Sequence, residues 1–262
     1  MVRHALTWLR NVLPIESFQS AHATVLSFWL LHYGTDLTSV SQQSAMVFAP
    51  HQDDETFGCG GTIALKRKQN VTVNVVFLTD GGADSSMIQA RRQEALSALS
   101  ILGVAADRIH FLDYPDGQLN QLSDDSTSKL RDRQSAISAL SQLLVEYQPI
   151  EVYVPHCKDH HSDHEATYAL VHKAITQSQL QVDLIQYAIW ALWKSPFLLK
   201  LKPQDLANAY RVAIHAVQTQ KHRAIAAYQS QTAILPPQLL RQFHQPFEVF
   251  FKVPRPKLPD ID

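Results

Sequence analysis

Apolar and polar positions along this chain follow two alternating periods. Residues 44–50 (SAMVFAP) and 71–79 (VTVNVVFLT) are short, largely apolar and β-branched, as strands buried on both faces are. Residues 108–113, 150–155, 182–190 and 210–214 read as further strands. Between them, residues 58–69, 85–102, 126–147, 163–177 and 216–232 carry a helical period. The clearest is 85–102, where Ile88, Ala95, Leu99 and Leu102 share one face and Gly103 supplies a stop. Such alternation predicts right-handed crossovers and an α/β fold, a Rossmann-like, mostly parallel sheet with helices on both faces of a single domain.

The two ends of the chain break this rhythm. Over residues 1–43 the pattern is helical: Leu6, Leu9 and Leu13 precede Pro14, then Phe18, Ala21, Val25, Phe28, Trp29 and His32 line one face until Gly34. This predicts an N-terminal helical arm packed on the domain. The sharper alternative is peripheral membrane contact by residues 17–33, although that stretch lacks the Lys/Arg face of membrane-surface helices. Its apolar run, residues 21–31, is too short to span a bilayer, so no transmembrane span is expected. The catalytic domain is then 44–235. Residues 236–262 hold six of the 13 prolines, which predicts an extended tail hugging the surface.

Composition narrows the function classes. With 262 residues, 45% hydrophobic and 18% charged, the chain has enough apolar material for a full core. A net charge of −1 argues against a nucleic-acid partner, because phosphate neutralisation needs a basic surplus. Two cysteines, Cys59 and Cys157, cannot build a disulfide framework and suit a reducing compartment. With no secretory signal visible, the expected location is cytoplasmic, peripheral to a membrane if the arm docks there. Thirteen histidines stand out, five of them within residues 156–172.

The chemistry lies in where the polar residues fall. His51-Gln52-Asp53-Asp54-Glu55 follows the first strand, Asp80-Gly81-Gly82 the second, Tyr114-Pro115-Asp116-Gly117 the third, and residues 156–164 the fourth. In an open α/β sheet the carboxyl ends of parallel strands converge on one crevice. His51 and Asp54 from one loop, with His164 from the start of a later helix, make two imidazoles and one carboxylate with a position left for water, the donor set of a catalytic metal. Zn2+ is the expected cofactor, and Fe2+ suits the same donors. Asp53, beside a ligand, is placed as general base. His161, one helical turn before His164, is placed to stabilise an oxyanion when protonated. Asp159 and Asp163 can orient ligand imidazoles from behind, and Asp163 can instead cap the following helix. Asp116 either accepts hydrogen bonds from sugar hydroxyls or fixes its Pro-Asp-Gly turn. Trp190 and Trp193 either stack on a ligand or pack in the core.

Ala49-Pro50-His51-Gln52-Asp53-Asp54-Glu55 together with His161-Ser162-Asp163-His164 resembles the PIG-L/LmbE-like family of zinc-dependent de-N-acetylases. The resemblance extends over roughly residues 44–231. Gln52 and Ser162 replace prolines common in the two motifs, at positions that supply no ligand. The resemblance implies the same ligands (His51, Asp54, His164), base (Asp53) and oxyanion-side histidine (His161) as the residues do. It also implies a sugar-contacting arginine in the Arg-x-x-Glu element, which points to Arg91. The implied activity is removal of an N-acetyl group from an N-acetylglucosamine-type conjugate, small or lipid-linked. Two rivals are a DHH-like two-metal phosphoesterase, prompted by Asp159-His160-His161, and a non-catalytic metal- or sugar-binding module.

Overall fold

The computed structural model describes residues 37–82, 84–123, 132–193, 205 and 208–253. The expected arm, including residues 17–33, lies outside the described residues except for its last few. In chain order the strands are β1 (Leu37–Thr38), β2 (Ala45–Ala49), β3 (Val73–Thr79), β4 (Ile109–Tyr114), β5 (Glu151–Pro155), β6 (Asp183–Tyr187), β7 (Ala209–Ala213) and β8 (Phe247–Lys252). The helices are α1 (Asp54–Lys68), α2 (Ser85–Leu102), α3 (Arg133–Tyr147), α4 (Ser162–Ser178), α5 (Gln218–Ala227), α6 (Gln229–Thr232) and α7 (Pro237–Phe243).

One sheet joins the strands in the order β1-β7-β8-β6-β5-β2-β3-β4. Every pairing is parallel except those of β8, which runs antiparallel between β6 and β7. From β2 the chain moves outward through β3 and β4, then returns to place β5 on the other side of β2. That reversal opens a crevice at the carboxyl ends of β2 and β5, where ligands sit in such sheets. Alternate residues feed two cores. Ala45, Val47 and Ala49 of β2 pack with Phe57 and Ile63 of α1, Leu99 of α2 and Ile225 of α5. Met46 and Phe48 face the opposite side, with Leu140 and Leu144 of α3 and Leu170 and Val171 of α4. Helices therefore cover both faces, as the pattern predicts.

The ends depart from the sequence expectation. Leu37 and Thr38 pair with Arg211 and Val212, so the last residues assigned to the arm form a sheet edge. The tail is not surface-hugging: β8 lies inside the sheet, with Phe250 and Phe251 buried, and α7 precedes it. The prolines flank the apolar run Phe247–Lys252 without entering it. The helix expected over 216–232 divides at Tyr228, between α5 and α6.

The tail strand also fastens α1. Glu248 accepts from the Gly61 and Thr62 amides at 2.7 and 2.8 Å. Lys221 Nζ donates to Glu248 at 2.6 Å and to the Phe57 carbonyl at 2.9 Å. A buried ion pair thus bonds to the backbone of the helix that carries Asp54, and those extra bonds offset its desolvation. Gly61 is also close to Ile214: an added Cβ would lie 2.6 Å from Ile214 Cγ2. Gly61→Ala is therefore expected to destabilise the fold by about 1–3 kcal/mol. Chemical denaturation measures this, and an unchanged midpoint contradicts it.

Candidate active site

The loop after β2 is shaped by buried hydrogen bonds. Pro50 accepts at its carbonyl from Thr79 N and Oγ1, and Gln52 Nε2 donates to the Thr79 carbonyl. Asp53 then takes φ of 145°, a costly backbone conformation for a residue with a side chain. Its amide donates to Glu55 Oε2 at 3.1 Å. Arg91 donates to the carbonyls of Gly81 and Gln52 and, at 3.2 Å, to Asp53 Oδ1. Glu55 is fully buried and accepts from the Tyr228 hydroxyl at 2.6 Å. The turn completed at Asp53 lets α1 begin at Asp54, four residues before the expected start, with Asp54 and Glu55 in its positive first turn.

His51, Asp54 and His164 meet in this crevice, all buried. Asp54 Oδ2 lies 3.2 Å from His51 Nδ1 and 3.3 Å from His164 Nε2. Each imidazole has a carboxylate at its other nitrogen. Asp159 Oδ2 is 2.6 Å from His164 Nδ1, and Asp163 Oδ2 is 3.3 Å from His51 Nε2. Asp159 Oδ1 accepts from three successive amides, Ile189, Trp190 and Ala191, at 3.0, 3.0 and 2.8 Å. Asp163 accepts from the Gly117 and Leu119 amides. Asp163 thus bridges His51 and the loop after β4, while His161, not Asp163, caps α4.

The arrangement fits a divalent cation. His164 Nε2 is buried with no hydrogen-bond partner, and one donor atom from each of the three residues lies within 4.8 Å of the others. Carboxylates behind both imidazoles are the usual orienters of histidine ligands.

Electrostatics separates the two adjacent aspartates. Burial works against the Asp54 charge, but His164 and His51 outweigh it and hold its pKa at about 2. Burial raises Asp53 to about 8 against the pull of Arg91, and Asp54 adds to the rise. Burial likewise lifts Glu55 to about 7, despite its hydrogen bonds. His51 is opposed by burial, yet hydrogen bonds to Asp116, Asp163 and Asp54 carry its pKa well above the ordinary value. A protonated His51 must lose its proton to ligate, and a nearby dication favours ionised Asp53. Cation uptake near pH 7 is therefore expected to release protons, and affinity to fall as pH falls. Titration calorimetry in buffers of different ionisation enthalpy measures the release; a buffer-independent heat contradicts it.

Burial and the neighbouring His164 and His51 lower His161 to about 4, so it is neutral near pH 7. This corrects the expected imidazolium. Its Nδ1 accepts from the Asp163 amide at 3.3 Å, which leaves the proton on Nε2. His161 is thus a neutral donor.

Arg91 and Arg92, inseparable by helical pattern, part company here. Arg91 is buried against Asp53, whereas Arg92 pairs with Asp113 and lies over the Phe111 ring. Arg91 lines the cavity, with Nη1 engaged by the Gly81 carbonyl of the loop after β3 and Nη2 by Gln52 and Asp53 of the loop after β2. Asp116 Oδ1 lies 3.0 Å from His51 Nε2, and the Asp116 amide donates to Asp80. His156 is buried against Phe251 and does not line the cavity. The sequence reading assigned no role to Glu55, Tyr228 or residues 234–243. The last stretch was masked by its prolines, yet Ile234, Leu235, Pro236, Leu239 and Phe243 wall a cavity of about 520 Å3 over the site.

Residues 46–175 match the family model described as PIG-L: GlcNAc-PI de-N-acetylase. An uncharacterized deacetylase of Escherichia coli, YaiS, is 28% identical over 127 residues, 48% of this chain and 65% of its own length. A 4-oxalmesaconate hydratase of Pseudomonas putida is 32% identical over 87 residues, 28% of this chain and 34% of its own length. The chain thus aligns with less than two thirds of either relative. The N,N'-diacetylchitobiose deacetylase of Pyrococcus horikoshii shares the fold, with a TM-score of 0.60 and 22% identity over 92% of this chain and 93% of that one.

Proposed function

We propose that the chain is a metal-dependent hydrolase removing the N-acetyl group from an N-acetylglucosamine-type conjugate, a reading supported by the match of residues 46–175 to the PIG-L: GlcNAc-PI de-N-acetylase family model. The observation that carries this reading is the convergence of His51, Asp54 and His164 beside a raised-pKa carboxylate, Asp53, on one cavity wall. His51, Asp54 and His164 would hold Zn2+ or Fe2+. When bound, the cation supplies Lewis acidity to the amide carbonyl and lowers the pKa of water.

The chain's own groups do the proton work. Asp53, fixed by Arg91 and by its own strained turn, takes the proton of the attacking water as oxygen adds to the acetamide carbon. His161 donates its Nε2 proton as a hydrogen bond to the developing oxyanion. The Asp53 proton then passes to the leaving nitrogen as the C–N bond breaks, giving acetate and a free amino sugar. Asp159 and Asp163 position the imidazoles throughout. No described helix is long and apolar enough to cross a membrane.

The test is stoichiometric. Protein loaded with Zn2+ or Fe2+ is expected to release acetate and primary amine in equal amounts from an N-acetylglucosamine conjugate. The Pseudomonas relative is named as a hydratase, which sets the opposing outcome: water consumed by an unsaturated acid, with no acetate from any acetamido sugar.

A further inference from the structure

Gln52, next to the candidate base, bonds across to a second strand-end loop. It is 1% exposed and is not among the described residues that line the cavity. It is also one of the two departures from the motifs named above, a glutamine for a proline, so its side-chain contacts are this chain's own. We propose that Gln52 is a positioning residue: its amide fixes the loop after β2 to the loop after β3, and through Arg91 this holds the Asp53 carboxylate in place. The proposal rests on the reading of Asp53 as the base that acts on water.

Three observations carry it. The first is the need for a tie. Asp53 holds φ of 145°, and such a backbone persists only where its surroundings over-determine it. A proline at position 52 would fix its own φ and restrict His51, and glutamine does neither. Constraint here comes from hydrogen bonds instead.

The second observation is the bonding itself. Beyond Ala49 and Phe77, the last paired residues of β2 and β3, Thr79 donates to the Pro50 carbonyl from its amide at 3.0 Å and its hydroxyl at 2.7 Å. Gln52 Nε2 returns a bond to the Thr79 carbonyl at 2.8 Å. A carbonyl can only accept, so that bond also fixes which end of the amide is the oxygen. Arg91, from α2, then spans both loops. Its Nη1 donates to the Gly81 carbonyl at 2.7 Å, and its Nη2 to the Gln52 carbonyl at 3.0 Å and to Asp53 Oδ1 at 3.2 Å. One guanidinium meets all three acceptors only while the loops keep the spacing that the Gln52 amide helps to set.

The third observation is Gly81. It has φ of 71°, and an added Cβ would lie 1.9 Å from Gln52 Oε1 and 3.2 Å from Arg91 Nε. The amide oxygen therefore occupies the space that a side chain at 81 would take. Both Gln52 Oε1 and Arg91 Nε are buried without a hydrogen-bond partner. The two side chains thus meet at one glycine, each leaving one polar atom unpaired there, a cost tolerated where their other atoms are held by bonds.

Action through Asp53 has a kinetic signature. In cation-loaded protein compared at equal metal content, Gln52→Met and Gln52→Ala are each expected to lower kcat for acetate release about tenfold or more. KM should stay within about threefold of the wild type, because a displaced base slows chemistry more than binding. In an Asp53→Asn background the same substitutions are expected to cost less than about twofold, since the group they displace is already gone. Metal-free protein gives a readout independent of turnover. Gly81→Ala is expected to lower the denaturation midpoint of the wild type, and to lower it about half as much or less in Gln52→Ala, where the space is open.

Wild-type kcat in both Gln52 variants, or an equal loss in the Asp53→Asn background, would overturn the proposal. So would a Gly81→Ala effect that is the same with and without Gln52. Absence of acetate from the wild type, with the coupling of Gly81 to Gln52 retained, would instead reject the deacetylase reading and support the tie between the loops.

Discussion

Asp53→Asn is expected to lower acetate release by about 10²–10⁴-fold, the usual contribution of a positioned general base, while leaving cation uptake intact. The substitution is nearly isosteric and keeps an oxygen to accept from Arg91, which lies 3.2 Å from Asp53 Oδ1. Asparagine also tolerates positive φ better than most residues, so the turn at 145° can persist. What it lacks is a group to accept the proton of water. The three donor residues are untouched, so metal content should equal that of the wild type. Steady-state rates and metal analysis on the same preparations check this. A variant with wild-type turnover would remove Asp53 from the mechanism.

Asp159→Ala is expected to cost about 3 kcal/mol or more in unfolding free energy and to weaken cation binding about 10–100-fold. Asp159 is fully buried and joins two structures through one side chain. One oxygen holds His164 at 2.6 Å, and the other receives the Ile189, Trp190 and Ala191 amides. Alanine leaves those amides without their acceptor and frees the imidazole to turn. Denaturant titration measures the first effect and competitive chelator titration the second. Retained stability together with retained affinity would show that Asp159 organises neither.

The strand-end clusters were legible because β2, β3 and β5 are predominantly apolar, β4 less so with His110 and Asp113 within it, and the His/Asp clusters follow where each strand stops. In a parallel sheet that position alone brings them together, so His51, Asp54 and His164 could be matched across more than a hundred residues. What the reading missed depends on contacts that periodicity does not encode. Glu55 looked like one more acid in a charged loop, but burial against Tyr228 makes it a support for Asp53. The prolines around β8 concealed a buried strand, because composition was weighed there in place of the apolar run itself. Helical spacing places His161 beside His164 but does not encode its burial, which with the neighbouring His164 and His51 lowers its pKa to about 4.

Metal content per chain, measured on wild-type, Asp53→Asn and His164→Ala proteins after loading and removal of excess ion, tests the central claim most directly. With His51, Asp54 and His164 as the donor set, the wild type and Asp53→Asn should each retain about one cation and His164→Ala almost none. Two ions per chain in the wild type, or full retention by His164→Ala, would contradict a mononuclear centre built from these three residues.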